Sequence, residues 1–333
     1  MEKTYRGMLF YLSLAVLAFG LAIGDQVRAQ VISGDLVGTI LDKTGATVPG
    51  ARVEATKADT GVKYETKANE VGEYRFNNLP VGVYNVSAST ANFATTTING
   101  FRVELNKTST LLITLEVKGA VTSIEVSGTA AALDTSTAQV QSTFEAKDIG
   151  DSAIASTGGN GSGVLNLSLL SAGVATSGGV GVGTGPSVGG QRPRNNDFTI
   201  EGVDNNNKSV TGPLVMVPND AVAEFSLLQN QFSPEFGHSS GGQFNTVVKS
   251  GTNAYHGLAY VYNENRNYDA FDSLNAIGGL TSNPRFDNNR FGGQIGGPVI
   301  KNKLFFFVNY EQEPLGEAGT EARFAHQPPL ASR

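Results

Sequence analysis

The sequence predicts a mainly β protein with more than one domain. Glycine is abundant, with 41 residues in a chain of 333, only 16% of the residues are charged, and tryptophan is absent. Several stretches alternate apolar and polar residues with a period of two, which is the pattern of strands that bury one face. Turn-forming clusters of glycine, asparagine and aspartate separate these stretches. The length allows about two or three domains of roughly 100–200 residues each.

Residues 1–29 have the pattern of a secretory signal peptide. Lys3 and Arg6 form a basic start, an apolar run extends from Met8 to Ile23, and the following Val27-Arg28-Ala29 predicts cleavage between Ala29 and Gln30. The alternative is a membrane anchor, but the run is shorter than the roughly 20 apolar residues that a spanning helix needs. We therefore expect an exported chain. Any membrane-spanning part of it would be a β-barrel, because no later apolar run is long enough for a helix.

Composition and motifs argue against several classes of function. The formal net charge of −6 does not suit a nucleic-acid partner. The chain has no cysteine, which excludes disulfides, thiolate nucleophiles and cysteine metal sites. The three histidines are scattered, and H-E-x-x-H is not present. We expect a protein that is not an enzyme and has no catalytic, cofactor or metal-binding residues.

Residues 31–117 predict a compact β-sandwich of the immunoglobulin-like or prealbumin-like kind. Turn signals containing Gly45, Gly50, Gly61 and Gly72 separate the predicted strands. The apolar residues of the alternating runs, which should face the core, are Ala51, Val53, Ala55, Tyr74, Phe76, Tyr84, Val86, Ala88, Leu111, Ile113, Leu115 and Val117.

Residues 131–250 are patterned less regularly, and the first part of this region shows little periodicity. The apolar run from Val164 to Leu170 is compatible with a helix or a strand. The glycine-rich run from Ser177 to Gly190 lacks the Lys-Ser or Lys-Thr of a phosphate-binding loop, so we interpret it as a plain loop. Phe198, Ile200 and Val203 then predict a strand that ends in an Asx-rich turn at Asp204 to Asn207.

Residues 251–313 contain long alternating stretches typical of outer-membrane β-strands, which turn an apolar side to lipid and a small or polar side inward. A tight turn at residues 300–303 predicts a hairpin, a long loop is expected from Glu264 to Asn289, and residues 314–333 are expected to be an unstructured tail. The predicted lipid-facing residues are Leu258, Tyr260, Tyr262, Phe291, Gly293, Ile295, Leu304, Phe306, Val308 and Tyr310.

The stretch FSLLQNQFSPEFGHSSGGQFNTVVKSGTNAYHG, from Phe225 to Gly257, carries a family resemblance. Within it, Gly241 and Gly242 suit a positive φ or a close backbone approach. The stretch resembles the junction between plug and barrel in TonB-dependent outer-membrane receptors of the Oar-like branch, and PRFDNNRFGGQIGGPVIKNKLFFFVNYE is similar to the same branch. The resemblance implies an α+β plug at residues 131–250 and, at residues 251–313, the first strands of an incomplete outer-membrane β-barrel.

The segment GGQRPRNNDFTIEGVDNNNKS resembles the core of such a plug, but with two departures from the family pattern. Glutamate stands where aspartate is commoner before the turn glycine, and IASTGGNGSG replaces a proline-leucine segment near the plug start. The residues that match the plug motif are Gly190, Gln191, Arg192, Glu201, Gly202 and Asp204.

The sandwich segments GTILDKTGATVPGARVEAT and GEYRFNNLPVGVYNVSAS resemble the carboxypeptidase regulatory-like domain. That family is non-catalytic, and its fold is shared with carbohydrate-binding modules. Sugar binding would require exposed aromatic rings, whereas the alternation places most aromatic residues of this segment in the core. The pattern therefore favours a structural or docking role for the sandwich.

Residues 118–130 have two interpretations, a linker or last strand of the sandwich, or a TonB box. A TonB box is a short extended segment that the TonB energy-transducing protein of the inner membrane captures by strand addition. The candidate residues are Thr122, Ser123, Ile124, Glu125, Val126, Ser127 and Gly128.

The resemblance implies that the full protein moves an unidentified ligand, of carbohydrate or peptide nature among other classes, across the outer membrane. Its expected partners are TonB and outer-membrane lipid, with the sandwich and plug on the periplasmic side. A plugged barrel of this kind has about 22 strands, so we expect the chain to be an N-terminal fragment. The alternative is a surface adhesin or carbohydrate-binding protein. Uptake that depends on TonB would distinguish the receptor from this alternative.

Overall fold

The computed structural model describes residues 32–118, 138–151, 163–176, 185–207, 212–230, 232–233, 236–237, 239–271 and 273–317, together with the backbone of residues 123–127. The predicted signal peptide, including Ala29 and Gln30, lies outside the described residues. Among the helices that are described, none is long and apolar enough to cross a membrane.

The N-terminal sandwich is built from two sheets. Its strands are β1 (Ser33–Asp42), β2 (Arg52–Lys57), β3 (Lys63–Lys67), β4 (Glu73–Pro80), β5 (Gly82–Ser89), β6 (Thr95–Val103), β7 (Thr108–Thr110), β8 (Ile113–Leu115) and β9 (Ser123–Ser127). One sheet has the order β4-β1-β7 with β8 also paired to β1, and the other has the order β3-β2-β5-β6-β9.

The sandwich core contains the alternating residues that the sequence predicts. Tyr84, Val86 and Ala88 are fully buried, and Tyr74 Oη donates a hydrogen bond to the Leu111 carbonyl across the core at 2.9 Å. Val117 is an exception, because its side chain is 74% exposed where we expected a core position. It lies past the end of β8, in an isolated bridge to Phe93, so the alternation no longer fixes its face.

The central sheet has the order β10-β15-β16-β13-β14. Its strands are β10 (Val140–Glu145), β13 (Asp197–Ile200), β14 (Val203–Asp204), β15 (Val222–Asn230) and β16 (Gln243–Val248), and a separate ribbon pairs β11 (Val174–Ala175) with β12 (Ser187–Val188). The helical elements are α1 (Ala146–Asp151) and 3₁₀ helices at Gly163–Leu170, Pro193–Asn195 and Asn219–Ala221.

One face of the central sheet is apolar and packs against the first 3₁₀ helix. Phe244 lies between Phe198 and Phe225 there, with ring centroids 4.9 Å from Phe198 and 6.2 Å from Phe225. The ambiguous run at residues 164–170 is therefore helical and supplies Val164, Leu165 and Leu167 to this core. Part of the predicted glycine-rich loop is strand β12, which corrects the loop assignment at Ser187–Val188.

The C-terminal sheet consists of β17 (His256–Asn265), β18 (Phe286–Ile300), β19 (Leu304–Gln312) and β20 (Leu315–Glu317), with α2 (Ser273–Ile277) in the connection between β17 and β18. The predicted hairpin at residues 300–303 is present, with Asn302 at φ +62°. Residues 315–317, which we expected to belong to an unstructured tail, instead form β20 and pair with residues 286–288 of β18. Both outer strands of this sheet pair with β18, which makes β18 its centre.

Candidate functional site

The candidate TonB-box residues Ser123, Ile124, Glu125, Val126 and Ser127 form strand β9 at the edge of the sandwich. This strand runs parallel to β6, with its residues opposite positions 95–99. Thr122 and Gly128 lie outside the described residues. The backbone therefore agrees with the last-strand interpretation, because residues 123–127 are paired with the sandwich through β6.

The plug-motif residues form turns in the central region. Glu201 and Gly202 have φ of +52° and +70°, and they make the two-residue turn between β13 and β14. We expected one strand to run from Phe198 through Val203 to the Asx turn. The chain instead reverses after Ile200, because two consecutive left-handed residues suit a tight hairpin. The Asx turn follows it, where Asp204 Oδ1 accepts the Asn206 N–H at 2.9 Å.

Glu201 also connects neighbouring strands. Its carboxylate accepts the Val248 N–H at 2.6 Å, and burial raises the pKa of this carboxyl group. At the other end of the motif, Gly190 has a φ of +76°, and Gln191 Oε1 accepts a hydrogen bond from Asn195 at 3.0 Å. Arg192 is exposed directly before the 3₁₀ helix at residues 193–195. The motif therefore shapes the chain reversals that bring β13 beside β16.

The two glycines of the resemblance stretch permit a close approach rather than a positive φ. A Cβ atom on Gly242 would lie 2.7 Å from Leu227 Cδ1, and one on Gly241 would collide with the Asn196 side chain. The Gly242 amide donates to Asn196 Oδ1 at 3.0 Å. Glycine is thus required for β16 to enter the sheet beside β15 and β13.

The sandwich meets the central sheet at a buried carboxylate. Glu224 is fully buried on β15, where its Oε1 accepts the Leu105 N–H at 2.7 Å and its Oε2 accepts from Arg102 at 3.1 Å. Arg102 also lies 2.9 Å from Glu145. Burial raises the pKa of the Glu224 carboxyl group, with a smaller contribution from Glu104, while Leu105 and Arg102 act in the opposite direction. No local pattern indicated this contact, because its partners are about 120 positions apart in the chain.

The outward face of the C-terminal sheet is an apolar band that extends across three neighbouring strands. Val261 on β17, Phe291 and Ile295 on β18, and Val308 and Tyr310 on β19 are between 41% and 78% exposed. The strand register places them together, because Val261 is opposite Phe291, and Ile295 is opposite Val308. Monomeric soluble proteins rarely expose a contiguous apolar surface of this kind.

The inward face of the same sheet is polar and touches the central region. Tyr260 Oη donates to Glu311 Oε2 at 2.8 Å, and Tyr262 Oη donates to Asp220 Oδ1 at 3.1 Å. Arg290 stacks on the Tyr262 ring at 4.4 Å and lies between the carboxylates of Asp220 and Glu311. Asp220 belongs to the 3₁₀ helix before β15, so this cluster connects the two regions.

The predicted outward face of β17 is wrong, whereas the residues predicted to face outward on β18 and β19 include the exposed Ile295 and Val308. Tyr260 is 8% exposed and points inward, opposite Gly292, where a Cβ would lie 2.6 Å from its hydroxyl oxygen. Val261 lies on the outward face instead. Tyrosine combines an apolar ring with a polar hydroxyl, so alternating tyrosines do not indicate which side of a strand faces water.

Within the described ranges, no group of histidine, aspartate and glutamate side chains could hold a metal ion. His256 is exposed at the start of β17, with Nδ1 3.2 Å from the Ala254 carbonyl oxygen. His238 and His326 lie outside the described residues.

Two families match separate parts of the chain. The carboxypeptidase regulatory-like domain matches residues 35–116, and the outer membrane beta barrel domain matches residues 247–332. A curated relative, the TonB-dependent transporter Oar of Myxococcus xanthus, is 24% identical over 300 residues. This match covers 89% of the chain but only 28% of the relative, so the chain spans less than a third of that protein's length.

Solved structures give only partial likenesses. The siderophore receptor PirA of Acinetobacter baumannii aligns with 52% of this chain and 24% of its own at 18% identity and a TM-score of 0.40. A catechol 1,2-dioxygenase from an Acinetobacter species aligns with 31% of this chain and 60% of its own at 16% identity and a TM-score of 0.23. Neither score supports a conclusion. Over most of its length the chain is therefore similar to a TonB-dependent transporter, and two of its parts match the carboxypeptidase regulatory-like domain and the outer membrane beta barrel domain.

Proposed function

We propose that the chain supplies the periplasmic sandwich, the plug and the first barrel strands of a receptor that moves a ligand across the outer membrane with energy from TonB. In this proposal the central region, residues 131–250, is the plug, and residues 251–313 begin the barrel wall. The similarity to a TonB-dependent transporter supports the proposal, and the relative's name indicates transport rather than catalysis. The ligand is unidentified.

The observation that carries the proposal is the division of the C-terminal sheet into two unlike faces. Val261, Ile295 and Val308 make one face apolar and exposed, while Tyr260, Arg290 and Glu311 make the other polar. A barrel wall needs this arrangement, because lipid contacts its outer side and a hydrated plug contacts its inner side. The Asp220 contacts of Tyr262 and Arg290 suit a plug held against the wall.

The proposal also assigns residues 122–128 to TonB. TonB would recognise this segment by adding it to the edge of its own sheet, where main-chain hydrogen bonds supply the affinity. Strand β9 supports this role because it is already extended and lies at the end of its sheet, where β6 is its partner among the described strands. Capture would use the opposite edge of β9 or replace β6 as its partner.

Nitroxide labels test the lipid-facing assignment. Because the chain has no native cysteine, Val308→Cys and Asn309→Cys each give a single labelling site on neighbouring residues with opposite faces. In lipid vesicles we expect the label at position 308 to collide mainly with oxygen, which concentrates in hydrocarbon. The label at position 309 should be less exposed to oxygen. Equal preference for a water-soluble nickel chelate at both positions would contradict the barrel assignment.

A further inference from the structure

The sandwich is attached to the central sheet through the segment that follows β6. The Leu105 N–H donates to Glu224, and its carbonyl accepts from Gln141 Nε2 at 2.6 Å. The next carbonyl, of Asn106, accepts from Gln139 Nε2 at 2.8 Å. Side chains of the central sheet, together with Gln139 directly before β10, therefore hold this short sandwich segment, and Arg102 forms an ion pair with Glu224 beside it.

Glu224 makes this attachment sensitive to the loss of a single partner. A buried carboxylate has lost its hydration, and it is tolerated only while charged and hydrogen-bonding partners replace the water. Arg102 and the Leu105 N–H, which act as those partners, both belong to the sandwich. A small movement of the sandwich would break both contacts of Glu224 before water could enter to replace them. Partial separation is therefore less favourable than either full contact or full opening.

The sheet face around Glu224 is unusually polar for a buried surface. Ser226, Gln243 and Asn245 are at most 5% exposed, and the register places them on the same side as Glu224. Among the described residues, Ser226 Oγ, Gln243 Oε1 and Asn245 Nδ2 find no hydrogen-bond partner. Unsatisfied buried polar groups cost free energy that water would recover. Polar interfaces between domains are also typical of domains that move relative to each other.

We propose that the sandwich is a detachable cover on the polar face of the central sheet, and that Glu224 is the contact that holds it closed. In the closed state Arg102 and Leu105 satisfy Glu224. In the open state water hydrates Glu224 and the neighbouring polar side chains. This inference does not depend on transport, on TonB or on the nature of the ligand.

Strand β6 relates the cover to the rest of the chain. Residues 95–99 of β6 pair with β9, and Arg102 near the end of the same strand contacts Glu224. The segment from β9 to β10 then connects the sandwich to the central sheet. Under the proposed function, tension on β9 would act on the strand that carries the Glu224 contact, which would couple TonB capture to opening.

Hydrogen exchange on the full chain measures the closed state directly. We expect Glu224→Ala to raise the exchange rate of the Leu105 amide at least tenfold. Glu224→Gln retains an acceptor and should have a smaller effect. Glu65→Ala is the matched control, because Glu65 also pairs with an arginine, Arg52, but within the sandwich and at its surface. It should leave Leu105 unchanged.

A distance measurement separates opening from unfolding. Nitroxides on Lys67→Cys in the sandwich and Lys147→Cys in α1 should give a narrow distance distribution in the otherwise native chain. Glu224→Ala should broaden it, while exchange in β5 stays unchanged. An unchanged distribution together with unchanged Leu105 exchange would overturn the proposal. So would a rise in β5 exchange equal to that at Leu105, because it would show loss of the sandwich fold instead.

Discussion

Tyr84 provides the sharpest test of how the sandwich is held together. It lies in β5, its side chain is fully buried, and its ring meets Tyr64 edge-on with centroids 6.2 Å apart. Its hydroxyl donates to the Pro80 carbonyl at 2.6 Å. The substitution Tyr84→Ala removes the ring, the aromatic pair and the hydrogen bond, whereas Tyr84→Phe removes only the hydrogen bond.

The structure separates the two contributions. Removing a large buried aromatic side chain costs about 3–5 kcal/mol, because the cavity left behind does not close fully. One hydrogen bond contributes about 1 kcal/mol on average. We therefore expect Tyr84→Ala to lower the free energy of unfolding by about 3–5 kcal/mol and Tyr84→Phe by about 1 kcal/mol.

The assay is urea unfolding of a polypeptide of residues 31–117, followed by circular dichroism. The native segment should unfold cooperatively, since it contains most of both sheets and the whole core. Val71→Ala is the control, because Val71 is 56% exposed and its loss should change stability by less than about 0.5 kcal/mol. A near-zero effect of Tyr84→Ala would refute the core assignment. Absence of cooperative unfolding in the native segment would refute the domain boundary.

Three further predictions concern the domain contact, the TonB segment and export. Because burial raises the pKa of Glu224, the folded state retains a proton that the unfolded chain releases, so this group's contribution to stability is full below the unfolded pKa of about 4.3 and falls as pH rises through the folded pKa. In urea unfolding, the free energy of unfolding of Glu224→Gln should therefore rise relative to that of the native chain as the pH is raised from 4 to 8. A difference between the two chains that stays constant over this range would contradict the reasoning. Ile124→Pro should abolish binding of a residue 118–130 peptide to the periplasmic TonB domain, because proline removes a backbone donor and fixes φ; equal binding by both peptides, or by neither, would return the segment to a linker or plain strand. Ala29→Phe should block processing after position 29, because the cleavage site requires a small residue there, and an unchanged mature N-terminus by mass spectrometry would refute the predicted site.

Local patterns were sufficient wherever one strand face was uniformly apolar. The alternation around Tyr84, Val86 and Ala88 predicted β5 and its buried side, because side chains of a strand point alternately to opposite faces. The turn glycines at positions 45, 50, 61 and 72 all have positive φ, which the adjacent turn residues indicated. In the C-terminal sheet, the alternation of β18 and β19 predicted the exposed side in the same way.

Local patterns failed where a face was defined by residues from another part of the chain. The alternating tyrosines of β17 gave no correct face, since Tyr260 is directed inward by its pairing with Gly292 and its bond to Glu311. The position of β9 at the sheet edge depends on its pairing with β6, which the local pattern of residues 123–127 does not specify.

The sequence by itself determined the mainly β class, most strand positions, the sandwich core and the family resemblance, because these depend on short-range periodicity and contiguous motifs. Tertiary structure alone decided which sheets meet and what lies between them. Glu224 is an ordinary acidic residue in the sequence, and it becomes a buried domain contact only because Arg102 and Leu105 approach it in the fold. Burial and electrostatic pairing depend on distances in space, which the order of residues along the chain does not specify.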